Sequence, residues 1–294
     1  MRNMKYALFM GCTVPVRCRN YELSTRAVAR NLGIELVDIL EFTCCGFPIK
    51  AIDEEATLLM AARNLCLAEE KELDVCAVCS ACTSILTETR HKLLHDEKAR
   101  DRVNEKLKTI GHEYKGTADV RHFARLLYED IGMETLKQKF VKDLGALTFA
   151  PHYGCHYLKP SEIYDGFDSV EAPHSLDELI EATGAKVVDY KDKKDCCGGA
   201  VLAVDAPVAT AVAAQKLVHV QQAGADAMCL VCPFCRVMYD DNQKEIATET
   251  GLELSLPVLF LPQVLGLAMG LDAKKELGFQ LNITKAKELL EKIA

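Results

Sequence analysis

Two kinds of stretch alternate along this chain. Short, mostly apolar runs at Tyr6–Met10, Ile34–Leu40, Val75–Val78, Ala146–Ala150, Ala225–Val231 and Val258–Leu261 have the length of buried strands. Between them lie longer stretches with one-sided apolar spacing. Leu58, Leu59, Ala62, Leu65 and Cys66 share one face of a helix expected over 53–73, and Val208, Ala211, Val212 and Val218 share one face of a helix over 207–223. Asn20 is expected to cap a helix that runs to Leu32 and stops at Gly33. Further helices are expected after Cys82, over Asp119–Ile131, over 177–183 and in a short form after Pro262. Eleven of the nineteen residues from Arg90 to Lys108 are charged, which reads as a solvated helix.

Strand and helix in alternation imply parallel sheets, and in such sheets ligands bind beyond the carboxyl ends of the strands. The pattern also occurs twice: Gly33-Ile34-Glu35-Leu36-Val37-Asp38 matches Gly184-Ala185-Lys186-Val187-Val188-Asp189. The expected fold is therefore α/β, two duplicated cysteine-rich domains with small parallel sheets related by a pseudo-twofold, residues 1–144 and 145–294. Leu254–Leu271 carries no charge and is long enough for a membrane span. Pro257, Pro262 and Gln263 argue instead for a buried strand and a short helix, so no membrane span is expected.

Composition narrows the chemistry. The net charge is −8, and there is no Trp among the 294 residues. Nucleic acid, which needs clustered Lys and Arg and stacking aromatics, is excluded as a partner. Fourteen cysteines follow a start, Met1-Arg2-Asn3-Met4-Lys5, that has only a short apolar run and no export signal. They read as reduced metal ligands of a cytoplasmic protein, not as disulfides.

The cysteines repeat as the elements do. Gly11-Cys12, Cys44-Cys45-Gly46 and Cys79-Ser80-Ala81-Cys82 recur as Gly154-Cys155, Cys196-Cys197-Gly198 and Cys232-Pro233-Phe234-Cys235. Cys12 to Cys155 is an offset of 143 residues, Cys44 to Cys196 one of 152, and Cys79 to Cys232 and Cys82 to Cys235 each one of 153. Near-constant offsets indicate a duplication, with a net insertion of roughly nine residues between Cys155 and Cys196. That insertion contains Pro160, Gly166 and Pro173 and reads as a loop at the entrance to a site. Vicinal cysteines reach disulfide geometry poorly, whereas a following glycine lets the backbone pass close to an inorganic core. One zinc needs four ligands; five thiols per half exceed that and suit an iron–sulfur cluster better. A thioredoxin-like dithiol would carry one Cys-x-x-Cys. Cys76 and Cys229 fall inside strands and Cys66 on a helix face, all as packed thiols, while Cys18 has no counterpart in the second half.

The doubled Cys, Cys-Cys-Gly, Cys-x-x-Cys arrangement resembles the cysteine-rich domain family found in the B component of heterodisulfide reductase. The similarity extends to Arg17, to the run from His152 to Ser161, and to Val231-Cys232-Pro233-Phe234-Cys235. It implies two noncubane 4Fe-4S clusters facing one another across the domain interface, one held by Cys12, Cys44, Cys45, Cys79 and Cys82, the other by Cys155, Cys196, Cys197, Cys232 and Cys235. It also implies reduction of the mixed disulfide of coenzyme M and coenzyme B, with electrons from the ferredoxin-like iron–sulfur C component and the flavoprotein A component of that complex. Cys18 departs from the resemblance, which leads one to expect an aromatic residue there.

Cleaving a disulfide takes two electrons, which two facing sites supply together. His156 and His152, beside Cys155, are candidate proton donors to the released thiolates. An anionic disulfide needs local cations in an acidic chain, and Arg17, Arg19, Lys50, Lys159 and Arg236 adjoin the cysteine motifs. Two other readings keep the clusters: reduction of a different small-molecule or protein disulfide, or electron relay within a complex.

Overall fold

A computed structural model describes residues 4–293; Met1, Arg2 and Asn3, at the head of the segment read for an export signal, lie outside it. Each half forms a four-stranded, wholly parallel sheet. In the first, β1 (Lys5–Phe9), β2 (Glu35–Val37), β3 (Asp74–Ala77) and β4 (Val120–His122) lie in the order β2-β1-β3-β4. In the second, β5 (Thr148–His152), β6 (Lys186–Val187), β7 (Ala227–Leu230) and β8 (Val258–Phe260) lie in the order β6-β5-β7-β8. Strand order reverses between β1 and β3, and between β5 and β7. This is the switch point at which loops on either side diverge and leave a crevice.

The helices follow from their caps and apolar faces. Asp53 accepts a hydrogen bond from the Ala56 N–H at 2.9 Å and starts the helix Glu54–Glu69; Asp205 accepts one from Val208 N–H at 3.1 Å and starts Ala206–Gln222. The charged stretch is two helices, Ser80–His95 and Glu97–Lys108, because Asp96 takes an extended conformation and caps the second through the Ala99 N–H. Leu93, Ala99, Val103 and Leu107 are buried there, so only one side is solvated. The helix over Arg19–Asn31 starts at Cys18, not Asn20. Asn20 is buried within it, and its amide donates to Asn282 Oδ1 at 3.2 Å. The stretch expected to be a helix over Asp119–Ile131 begins as strand β4 and turns helical only at Phe123. Val258–Phe260 and Leu261–Ala268 form the expected strand and short helix, and no helix among the described residues is long and apolar enough to cross a membrane.

One apolar core runs through both halves, and they interlock. The Tyr21 ring stacks on Phe260 at 3.8 Å between centroids, and the Arg19–Asn31 helix packs on Leu261–Ala268. The inserted segment crosses the other way. Tyr157, Ile163 and Tyr164 are buried in it, the Arg125 guanidinium lies 5.0 Å over the Phe167 ring, and Tyr128 meets Phe167 edge-on. The insertion is a loop, as its prolines and glycine lead one to expect, anchored between the halves by its buried aromatics while Lys159, Glu162, Asp165 and Gly166 stay exposed.

Candidate functional site

All ten repeated cysteines sit on loops after strand ends or on the first turn of the helix that follows. Cys12 follows β1, Cys44 and Cys45 come after β2, and Cys79 and Cys82 follow β3; the second half repeats this after β5, β6 and β7. Glycine conformations make these loops possible. Gly11 and Gly154 (φ 65° and 67°) turn the chain at the lone cysteine, and a Cβ on Gly11 would stand 2.8 Å from Cys82 Sγ. Gly46 and Gly198 (φ 95° and 83°) press the vicinal pair onto the next helix, where a Cβ would meet Thr57 and Ala209 at 3.0 Å.

The sulfurs form two rows. Cys12 meets Cys44 at 4.0 Å; Cys44 is in thiol contact with Cys45, Cys45 with Cys82, and Cys82 with Cys79. In the second half Cys155 contacts Cys196, Cys196 contacts Cys197, Cys197 contacts Cys235, and Cys235 contacts Cys232. Cys79 contacts Cys232 and joins the rows end to end. Among the described residues no three His, Cys, Asp or Glu side chains converge in the way that would hold one metal ion.

Charge is crowded along these rows. Thiol contact with Cys44 and Cys82 brings Cys45 down to about 4, contact with Cys155 and Cys197 brings Cys196 down to about 2, and contact with Cys235 and Cys79 pushes Cys232 well below its ordinary value. Their neighbours move the other way. Cys12, Cys79, Cys82, Cys155 and Cys235 rise, and Cys197 rises to about 12, because each as a neutral thiol donates to a neighbouring cysteine sulfur, with burial and repulsion from that neighbour adding to the effect. A donor set of this kind becomes fully ionised only around a cationic core. Backbone N–H groups already point at it: Gly46 donates to Cys44 Sγ and Gly198 to Cys196 Sγ at 3.4 Å, and Gly199 to Cys197 Sγ at 3.3 Å. Five thiols in a row, with N–H donors to sulfur, fit an iron–sulfur cluster and not a four-ligand zinc.

The other cysteines stay out of the rows. Cys66, Cys76 and Cys229 are fully buried in a helix and in β3 and β7, and burial pushes each thiol up. Cys18 is fully buried beside Arg236, with burial raising its thiol to about 12.

A cavity over the second row is lined by Phe47, Phe234, His156, Cys155, Cys196 and Cys232, and a separate one over the first row, lined by all five of its cysteines, shares Phe47 and Phe234 with it. Phe47 meets His156 at 4.9 Å and Phe234 at 6.1 Å between ring centroids, both edge-on. Burial holds the His156 imidazole below its ordinary value. Its Nδ1 lies 3.3 Å from Ser84 Oγ, Ser84 donates to Glu88 at 2.7 Å, and Lys50 is ion-paired with Glu88. Ser84 and Glu88 went unnoticed in the sequence, where their signal was a one-turn spacing on the helix opened by Cys79. His152 does not reach this cavity's lining: it is buried against Tyr239 and Lys216.

The candidate cations divide. Arg19 and Lys159 are exposed, and Arg17 is half-exposed, 3.6 Å from Asp241. Arg236 is 3% exposed and engaged internally: it donates to the carbonyls of Arg17 (2.7 Å) and Leu281 (3.2 Å) and pairs with Asp240 and Asp241. Its place after Cys235 suggested an anion contact, but the partners that bury it come from distant segments.

Two parallel sheets with cysteine rows at their switch points define a duplicated cysteine-rich domain protein. The family model described as a cysteine-rich domain, CCG, matches residues 6–87 and 149–240, and the chain belongs to this family. It is 39% identical, over 98% of its length and 97% of the relative's, to the B component of the Ferredoxin/F(420)H(2)-dependent CoB-CoM heterodisulfide reductase of Methanosarcina acetivorans. It is 35% identical, over 97% of its length and 99% of the relative's, to the 8-methylmenaquinol:fumarate reductase membrane anchor subunit of Wolinella succinogenes. The crystal structure of a hypothetical protein from Helicobacter pylori shares the fold, with a TM-score of 0.80 over 97% of this chain at 18% identity. The chain spans about half, 53%, of that structure's length.

Proposed function

We propose that the chain is the disulfide-reducing component of a cytoplasmic heterodisulfide reductase complex, acting on the coenzyme M–coenzyme B heterodisulfide. The reading assigns Cys12, Cys44, Cys45, Cys79 and Cys82 to one noncubane 4Fe-4S cluster and Cys155, Cys196, Cys197, Cys232 and Cys235 to a second. Residues 1–144 and 145–294 would be the two units, with a ferredoxin-like iron–sulfur protein and a flavoprotein, the C and A components of such a complex, as the electron donors. The observation that carries it is the meeting of the two sulfur rows at Cys79 and Cys232, beside the cavity of Phe47, Phe234 and His156.

When bound, the clusters supply the two electrons that break a sulfur–sulfur bond, one from each side. The chain's own residues handle the substrate and its protons. Phe47 and Phe234 give the cavity apolar walls, in which a neutral thiol product is favoured over a charged thiolate. Because Ser84 gives its proton to Glu88, His156 Nδ1–H donates to Ser84; the imidazolium therefore keeps its Nδ1 proton there and gives up the one on Nε2, with Glu88 as the negative charge that favours its reprotonation. Of the candidate cations, Arg19 and Lys159 are exposed and Arg17 keeps more than half of its side chain exposed beside Asp241, so these are the ones available to an anionic substrate. The test is single turnover: reduced anaerobically, the protein should be reoxidised by the heterodisulfide with release of two thiols. Failure of every disulfide tried to reoxidise it rejects the reading.

One observation favours a relay. Cys79, Cys82, Cys232 and Cys235 are all buried, and a relative is named for a reductase of fumarate. Reoxidation by a quinone analogue and not by disulfides would select that reading.

A further inference from the structure

The halves repeat their cysteines but not what lies beneath them. The repeat can be followed atom by atom. A Cβ on Gly11 would meet Cys82 Sγ and the Phe9 ring; one on Gly154 would meet Cys235 Sγ and the His152 ring, with Nε2 at 3.4 Å and Sγ at 3.6 Å. Phe9 in the first half therefore corresponds to His152 in the second. Gly46 rests on Thr57 as Gly198 rests on Ala209. Seven residues along those helices stand Asn64 and Lys216, each 1% exposed.

Asn64 and Lys216 do one task in common. The Asn64 amide donates to the carbonyls of Thr43 (3.3 Å) and Cys44 (3.2 Å), and Lys216 Nζ donates to the Asp195 carbonyl at 2.6 Å. Both hold the loop that enters the vicinal cysteines. Asn64 is neutral and would suffice for this. Lys216 brings a positive charge into the interior, and among the described residues no carboxylate pairs with it within 4 Å. A buried ammonium without a counter-charge is strongly unfavourable. Burial holds its pKa below the ordinary lysine value, and the groups that favour its charge against that are Cys235, Asp195, Cys197 and Asp192.

His152 extends this charge toward the sulfurs. Lys216 Nζ lies 3.4 Å from His152 Nδ1; an ammonium can only donate, so Nδ1 accepts and the ring proton sits on Nε2. That Nε2 is buried and has no partner among the described residues, and it borders the same point as Cys235 Sγ. A buried N–H without an acceptor is costly, and thiolate sulfur is the acceptor at hand.

We propose that Lys216, acting through His152, makes the second cysteine set the one that better tolerates added electrons, so that its cluster is reduced at a less negative potential than the first. Charge and N–H donors near the sulfurs are what tune such potentials. Lys216 is a positioning residue in this account, and the inference rests on the cluster assignment above.

The experiment is a redox titration of the anaerobically prepared holoprotein with dithionite and mediators, followed by electron paramagnetic resonance, after iron and sulfide have been measured. Cys235→Ala identifies the second-site signal. Lys216→Asn and His152→Phe, which install the first-half residues, should each move that signal to a more negative potential while the first stays put. For Lys216→Asn the one-electron distribution between sites should change at least tenfold, or about 59 mV. Lys216→Arg keeps the charge and should keep the wild-type value. An unmoved potential with full iron content overturns the inference alone. Loss of the second signal in Lys216→Asn and Lys216→Arg alike makes the lysine a packing tie and also overturns it. Absence of iron in the wild-type protein overturns both the inference and the cluster reading.

Discussion

Cys79 and Cys232, which sit 153 residues apart in the chain, are in thiol contact across the two halves. Each ends its own row of five, at the switch point of its own sheet. Two further contacts hold this junction: Ser80 Oγ donates to the Val231 carbonyl at 3.1 Å, and His122 Nε2 donates to it at 2.9 Å. The junction is thus fixed by first-half side chains gripping the residue before Cys232, and neither site is built by one half in isolation.

Anaerobically prepared protein should contain about eight irons per chain with matching acid-labile sulfide, in the iron–sulfur reading of ten thiols. Cys82→Ala and Cys235→Ala should each lose about half. Cys66→Ala should retain both, since its thiol lies in the helix core, at a stability cost of about 1 kcal/mol. Elemental analysis with visible spectra checks this; zinc without sulfide is the contrary outcome.

Arg236→Ala should destabilise the fold by about 3 kcal/mol, because it strands the fully buried Asp240 carboxylate. Asp240 also accepts from the backbone N–H groups of Ile283 (3.0 Å) and Thr284 (2.8 Å), so the C-terminal segment should loosen first. Arg19→Ala, at an exposed position, should stay within about 0.5 kcal/mol. Urea denaturation of the three proteins under one set of conditions decides it.

The same contrast shows what sequence reveals. Strands and cysteine sets were legible because both are local: an apolar run, or a spacing within one loop, carries its meaning with it. Strand β4 was not, since Val120-Arg121-His122 has one apolar residue in three and runs into the helix at Phe123. Its pairing with β3 makes it a strand. The fates of Arg236 and Lys216 were also hidden. Whether a cation reaches solvent depends on partners such as Arg17, Leu281 or Asp195, which the local pattern does not contain.

Stability should fall with acid through His122. Burial lowers its imidazole to about 4, while the unfolded chain titrates near the ordinary value of about 6.5. The folded pKa is the lower one, so the unfolded state binds the extra proton as pH drops. The contribution is present above about 6.5, declines below it, and is fully lost only below about 4. Between pH 7 and pH 5 it should cost about 2 kcal/mol. Denaturation series on wild type and His122→Gln measure it: the wild-type curve should fall more steeply over that window, and parallel curves would remove His122 as the cause.

Turnover should need both cysteine sets at once. The rows meet at Cys79 and Cys232, their two cavities share Phe47 and Phe234, and cleaving a disulfide held between them takes two electrons. With one set missing, the first electron would leave a sulfur radical with nothing opposite to complete the cleavage. Groups that act as a unit lose activity non-additively. Cys82→Ala, Cys235→Ala and the double variant should therefore be almost equally inactive. His156→Gln should instead slow turnover by about 100-fold while both cluster signals persist, as expected for a proton donor. Its partner Glu88→Gln should do the same more weakly, through Ser84. The assay is heterodisulfide reduction with a reduced viologen dye, on variants whose iron content is known. Substantial reduction by Cys235→Ala lacking its cluster rejects the two-site mechanism and makes the second half a relay.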